Sequence, residues 1–207
     1  ILLDDDLLHL DARSQKPIVD IETGIMGRSL AIDNDAGTLL IGTEEGSVLS
    51  RSLYDSSTMP NEKGPTGSQN AGIYALAVDD YGTIWGAGNC TIHFKPVGEA
   101  VWNEYDYCPT QNIETPSDIM IIGDSVYLAT TNAGVHILNY ITSSSSGSVS
   151  VSVDSQTDWS TQNFLSSDQI TDLEVVGNHL LIATSDSGIN RRDLTAQSWI
   201  ATWSTNN

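Results

Sequence analysis

Basic residues are scarce in this chain. Its 207 residues include eight Lys and Arg against 27 Asp and Glu, a formal net charge of −19. Nucleic acid is therefore not an expected partner, because phosphate contacts need a basic patch. Acidity of this kind reads first as a solvated, self-repelling surface and second as a face for cations or a basic partner. Long apolar runs are missing too. Stretches such as 73–78 are strand-sized, so no membrane insertion is expected. Long amphipathic helical patterns do not occur, and Gly and Ser are plentiful. Cysteine is limited to Cys90 and Cys108, whose spacing fits no CxxC metal or redox motif. There is no initiator Met and no signal peptide. The chain thus reads as a piece of something longer, and missing targeting signals carry little weight.

What is present is a repeat. Four segments share one pattern: 29–53 (SLAIDNDAGTLLIGTEEGSVLSRSL), 73–96 (IYALAVDDYGTIWGAGNCTIHFKP), 117–139 (SDIMIIGDSVYLATTNAGVHILN) and 169–194 (QITDLEVVGNHLLIATSDSGINRRDL). Each begins with an apolar strand and a polar turn containing Gly, such as Asp35-Ala36-Gly37 or Asp80-Tyr81-Gly82. These turn residues tolerate positive φ. A second strand ends in small residues, with Gly42, Gly86, Ala129 and Ala183 aligned, and a short turn leads to a third strand. Trp-bearing segments mark a fourth strand at 101–107, 158–164 and 198–204. Four short strands recurring every 40–50 residues or so is the β-propeller period. No helices separate the strands, so a parallel α/β sheet is excluded. The expected fold class is all-β: a propeller of four-stranded antiparallel blades. The blades fall at about 27–70, 71–110, 114–164 and 167–207, after a partial blade at 1–24.

The residues IGT, WGAG and LATTNAGVHIL, followed by WSTQNFLSSDQI, resemble the two-component-regulator propeller repeat. The resemblance covers nearly the whole chain. It implies a propeller in an extracellular, periplasmic or cell-surface protein of a microbe, and it brings no catalytic residues with it. Two departures stand out. The first full unit has an irregular stretch at 54–70 where a fourth strand belongs, and the third carries an insertion, 141–153, that reads as a flexible hairpin extension.

The two ends of the pattern are out of phase. Residues 1–23 read as the end of a second strand, a third strand and a fourth, with no opening strand, whereas 203–207 falls on a blade boundary. Two architectures satisfy this count: five blades with an incomplete first one, or an arc of a larger propeller. In the closed ring, Leu2, Leu8, Leu10 and Ile18 would pack against the last blade. Failing that, the uncovered surfaces would pair with a second copy as a homodimer.

Each candidate site also has a structural reading. His9, His93 and His136 share one third-strand position, with Asn190 as the equivalent, and follow the repeat rather than ligand spacing. Asp33-Asn34-Asp35 begins like a calcium loop, but Gly37 and Thr38 break the pattern. The string from Asp80 to Trp85 looks like part of an Asp-box, with Val78 where Ser or Thr belongs. The tryptophans read as blade-to-blade packing on outer strands. Cys90 opens a third strand and Cys108 closes the paired fourth, so a disulfide is expected. Asn89-Cys90-Thr91 is formally a glycosylation sequon, but a bonded strand end makes a poor acceptor.

No nucleophile–base motif, metal site or cofactor site is apparent. Turns between second and third strands share one face of a propeller with the inter-blade links. The expected binding face therefore comprises Asp4, Asp5, Asp6, Glu44, Glu45, Asn89, Asn132 and Asp186. The function expected is a non-catalytic interaction module for a protein or carbohydrate ligand. The rival is a carboxylate-based hydrolase or lyase acting on an extracellular polysaccharide, which paired acids on that face would favour.

Overall fold

The computed structural model describes residues 2–3, 6–10, 17–22, 26–53, 72–108, 113–145 and 148–203, and the side chains of most of them from Met26 onward. They form eighteen strands in five antiparallel sheets. Sheet I contains β1 (Leu2–Leu3), β2 (Asp6–Leu10) and β3 (Pro17–Glu22), and sheet II contains β4 (Gly27–Asp33), β5 (Thr38–Thr43) and β6 (Val48–Ser52). Sheet III contains β7 (Ala75–Val78), β8 (Ile84–Gly88), β9 (Thr91–Lys95) and β10 (Asn103–Asp106). Sheet IV contains β11 (Pro116–Ile122), β12 (Ser125–Thr130), β13 (Val135–Ser145) and β14 (Ser148–Trp159). Sheet V contains β15 (Ile170–Val176), β16 (His179–Thr184), β17 (Gly188–Asp193) and β18 (Ser198–Trp203). Sheets III to V are four-stranded meanders in chain order, each one propeller blade. Sheet II has three described strands, and 54–70 lies outside the described residues.

The first strands β4, β7, β11 and β15 lie side by side, and β1 adjoins β4. Blade faces stack because side chains alternate along each strand. Leu40, Val48, Ile73 and Leu76 join sheets II and III. Trp85, Ile92, Phe94, Ile119, Leu128 and Tyr140 join III and IV. Tyr127, Val135, Trp159, Leu173, Leu180 and Ile182 join IV and V. Burying one such large apolar side chain contributes roughly 1.5–3 kcal/mol, so these three layers hold the blades in order.

Several expectations are corrected here. The fourth strand of sheet IV is β14, ending at Trp159, whereas 161–164 forms a turn. The stretch SVSVSVD alternates β-branched and polar residues, which is itself a strand signal. It pairs with the Ser run of β13 as one long ribbon with a register shift between Asn139 and Tyr140, rather than a flexible extension. The ladder aligns Gly42 with Ala87, not Gly86, since Gly42 pairs with Val48 and Ala87 with Ile92. The tryptophans do not share one role. Trp85 is on a second strand at the centre of a core, Trp102 precedes β10, and Trp203 is 53% exposed. The packing of Leu2, Leu8, Leu10 and Ile18 lies outside the described side chains.

Candidate functional site

The turns between second and third strands are built alike in three sheets. In sheet II, Thr43 Oγ1 donates to Ser47 O at 3.0 Å and accepts from Ser47 N–H at 2.9 Å. Thr130 closes its turn through Gly134 O and Ala133 N–H, and Thr184 through Gly188 O and Ser187 N–H. In sheet III a tighter turn holds Cys90 at a φ of 63°.

These turns meet the inter-blade links. Ile73 N–H donates to Thr43 O at 2.8 Å, and Gly134 N–H donates to Asp168 O at 2.9 Å. Thr131 N–H and Ser185 N–H donate to Thr115 O and Gln169 O in the links preceding their own sheets. Turns and links therefore share one rim. Gly134 adopts φ 87° with Trp159 backbone against its Cα, so a side chain there would be both strained and obstructed.

On this rim, Glu44 forms an exposed ion pair with Arg28 at 2.9 Å, and Glu45 is exposed. Asn132 is also exposed and donates from Nδ2 to Ile113 O at 2.9 Å. Hydrogen bonds from the Ser167 and Ser187 hydroxyls hold the exposed Asp186 carboxyl below its usual range. Asn89 is half-buried, with its Oδ1 enclosed and making no hydrogen bond. Asp4 and Asp5 lie outside the described residues, and Asp6 is placed only by its backbone in β2. The rim thus presents separate polar groups from successive blades. Among the described residues, no three of His, Cys, Asp and Glu are grouped to hold a metal ion.

Beneath the rim lies a cluster that motif reading missed. His136 sits between two carboxylates, with Nε2 2.6 Å from Glu114 Oε2 and Nδ1 2.6 Å from Asp158 Oδ1. Each ring nitrogen thus faces a carboxylate oxygen at hydrogen-bond distance. Gln156 Nε2 donates to Asp158 Oδ1 at 2.9 Å and to Tyr107 O at 3.0 Å. The cluster ties the incoming link to the third and fourth strands. In sheet V, Asn190 fills the same position with neutral partners: Nδ2 donates to Ser166 Oγ, and Oδ1 accepts from Ser166 N–H and Thr202 Oγ1. In sheet III, His93 Nδ1 makes no hydrogen bond, and the Glu104 carboxylate is 3.7 Å away. Burial pushes His93 down to about 4, against the nearby negative charge of Asp106. His93 and His136 therefore sit in separate blades with separate partners, and the side chain of His9 lies outside the described residues. The signal available for the cluster was an acid just before the first strand and another opposite His136 on the fourth.

Cys90 and Cys108 form a disulfide with Cα atoms 5.0 Å apart. Tyr107 is buried beside it. Its hydroxyl accepts from Cys90 N–H at 3.0 Å and lies 2.9 Å from Gly88 O and 3.2 Å from Glu114 O. Burial raises its pKa well above the ordinary phenol range. The Asp-box assignment also changes, because the working residue is Asp79, not Asp80. Asp79 Oδ1 accepts from Tyr81 and Thr83 N–H, and Oδ2 accepts from Trp85 Nε1 at 3.0 Å. Asp79 is buried and organises the turn ahead of the core Trp85.

One pair of acids does come together, on adjacent first strands. Asp118 Oδ2 accepts from Leu173 N–H at 2.9 Å, and Oδ1 accepts from Ile119 N–H at 2.8 Å. Burial pushes its carboxyl up to about 6; those two bonds oppose the rise and the neighbouring Asp172 adds to it. Both oxygens already accept from the backbone, so Asp118 acts in joining the blades.

No family model matches the chain, and no curated protein matches it. Solved structures do. U3-55K aligns with a TM-score of 0.70 at 12% identity, over 97% of this chain and 58% of that one. The computationally designed Ika8 protein aligns at 0.63 and 14% identity, over 97% and 56%. The Cps50 (Swd1) β-propeller domain of Myceliophteria thermophila aligns at 0.61 and 14% identity, over 91% and 58%. The chain thus has the β-propeller fold and spans a little over half the length of the structures it matches.

Proposed function

We propose that this chain is a non-catalytic propeller interaction module whose ligand, a protein or a carbohydrate, docks on the rim of turns and links. The observation that carries this reading is the rim itself. Glu45, Asn132 and Asp186 project from three different blades, each on a turn closed by the same threonine device. Rigid scaffolds that present variable polar loops are suited to recognition. The disulfide, together with the resemblance to the two-component-regulator repeat, supports an extracellular, periplasmic or surface setting in a microbe.

The polysaccharide hydrolase or lyase remains the rival. The pair Asp118 and Asp172 is the observation in its favour, and the two backbone bonds that Asp118 accepts weigh against it.

A glycan array and a panel of purified basic and neutral proteins test the proposal. A ligand whose affinity falls at least tenfold in the Glu45→Ala/Asn132→Ala/Asp186→Ala variant, with an unchanged melting temperature, is the expected result; tenfold corresponds to about 1.4 kcal/mol. Release of new reducing ends from a polysaccharide, lost in Asp118→Asn, would overturn it in favour of the enzyme.

A further inference from the structure

The ribbon of β13 and β14 carries a strand edge without the usual guards. The pairing of β12 with β13 ends at Ser125 and Asn139, and Tyr140 N–H makes a last bond to Asp124 O at 3.0 Å. Beyond that point only two strands continue, β13 to Ser145 and β14 from Ser148, at the end of the blade opposite the rim. A two-stranded ribbon is marginal by itself, and a third strand stabilises it. The direction of its backbone follows from the Tyr140 bond. In an antiparallel ladder the N–H and C=O of one residue point the same way. Tyr140 points toward β12, so its partner Val153 points outward, away from β13. Alternation gives the same direction to Val151 and Val149. Among the described residues, no strand pairs with that edge.

Proteins blunt such edges with Lys, Pro or short length. The fourth strands β10 and β18 have four and six residues, against twelve in β14. No Pro lies in β14, and no Lys or Arg occurs between Lys95 and Arg191, so sheet IV has neither. Asp154 is exposed at the base of the ribbon. It is the extra residue of the register shift, where regular pairing along β14 is interrupted.

We propose that the outward edge of β14 at 149–153 takes up an extended, basic segment of a partner protein as a further strand. The N–H and C=O groups of Val149, Val151 and Val153 supply the ladder, and alternate side chains supply the selectivity. Residues opposite the valines share the face on which Val151 and Val153 pack against the III–IV core, so β-branched side chains suit them. Lys or Arg suits the end beside Asp154. A second copy is a poor occupant, because it would set the same acids against one another on a chain of net charge −19.

The probe is a fluorescein-labelled peptide alternating Val and Lys, titrated into the full chain and followed by anisotropy. Saturable binding is expected, with exchange of the Val151 and Val153 amide protons slowed at least about tenfold in nuclear magnetic resonance. Val151→Pro deletes one outward N–H and no bond to β13. It should keep the parent's melting temperature and lose at least about tenfold in affinity. N-methylation of the peptide's valines should cause the same loss with the unaltered chain, which tests the edge even if the proline variant does not fold. The Glu45→Ala/Asn132→Ala/Asp186→Ala variant should bind the peptide as the parent does, since the rim lies at the other end of the blade. Absence of binding would overturn the proposal. So would equal binding of the N-methylated peptide or of one with Glu in place of Lys, and so would a bound peptide that leaves Val151 and Val153 exchange unchanged. A parent chain in which that exchange slows with its own concentration would overturn it too, by making the occupant a second copy.

Discussion

Tyr107 shows how much one side chain organises. Its ring is buried in the III–IV core, while its hydroxyl serves the Cys90 N–H and the carbonyls of Gly88 and Glu114. Tyr107→Phe keeps the ring and removes that partner. We expect a loss of about 1–3 kcal/mol, measured by urea denaturation. Two titrating residues give a second prediction with opposite signs. His93 sits at about 4 in the folded chain, below its ordinary value. The unfolded chain therefore binds more protons between about 4 and 6.5, and His93 makes stability fall as pH drops through that window. Asp118 sits at about 6, above its ordinary value. Its contribution is fully present below about 4 and is lost as pH rises through 6. Relative to the parent, His93→Gln should resist acidification between pH 6.5 and 4, and Asp118→Asn should resist alkalinisation between 4 and 6. Each effect is at most about 2–3 kcal/mol. Parallel slopes for parent and variant in denaturation at stepped pH would show the assignment to be wrong.

At the scale of elements, the blades differ in how the third strand is tied to the incoming link. Sheet IV uses a histidine between two carboxylates, sheet V an amide, and sheet III a histidine lacking one hydrogen bond. The two carboxylates on His136 are not equivalent. Glu114 is buried, whereas the Asp158 side chain is 45% exposed. Removing the buried partner leaves an enclosed ring nitrogen without its hydrogen bond and should cost about 1–3 kcal/mol in Glu114→Ala. Removing the exposed one should cost about 1 kcal/mol or less in Asp158→Ala. Tryptophan fluorescence during urea unfolding distinguishes them, and equal losses would contradict the burial argument. Sheet IV also carries the extended β13–β14 ribbon, whose Ser and Val alternation continues the ladder beyond the rest of the blade.

At the scale of the molecule, a net charge of −19 repels itself unless screened or neutralised. A calcium cage is one way to neutralise acid, and the described carboxylates do not form one. Hard divalent cations need several oxygens held together at about 2.3–2.6 Å. Millimolar calcium should therefore leave the melting temperature where an equal ionic strength of sodium chloride puts it. A large rise reversed by a chelator would count against this. The blades themselves stack like a one-dimensional array, each stabilised by its neighbour. Mutations at the III–IV layer, such as Trp85→Ala, should therefore be felt on both sides.

The sequence by itself determined the repeat, the all-β class, the blade as a unit and the place of each short turn, because strand periodicity and turn chemistry are local. It also placed Cys90 and Cys108 at the ends of paired strands. Only the tertiary structure decided which residues act together. Asp79 rather than neighbouring Asp80 holds the turn before Trp85, a difference of side-chain direction that two adjacent identical residues cannot reveal in a string. Glu114 and Asp158 meet His136 from a link and a strand far apart in the chain. Trp159 and Trp203 occupy the same register in near-identical rows, yet one is buried and the other open. Burial depends on what lies across the blade face, and that neighbour is supplied by the packing of blades rather than by any local pattern.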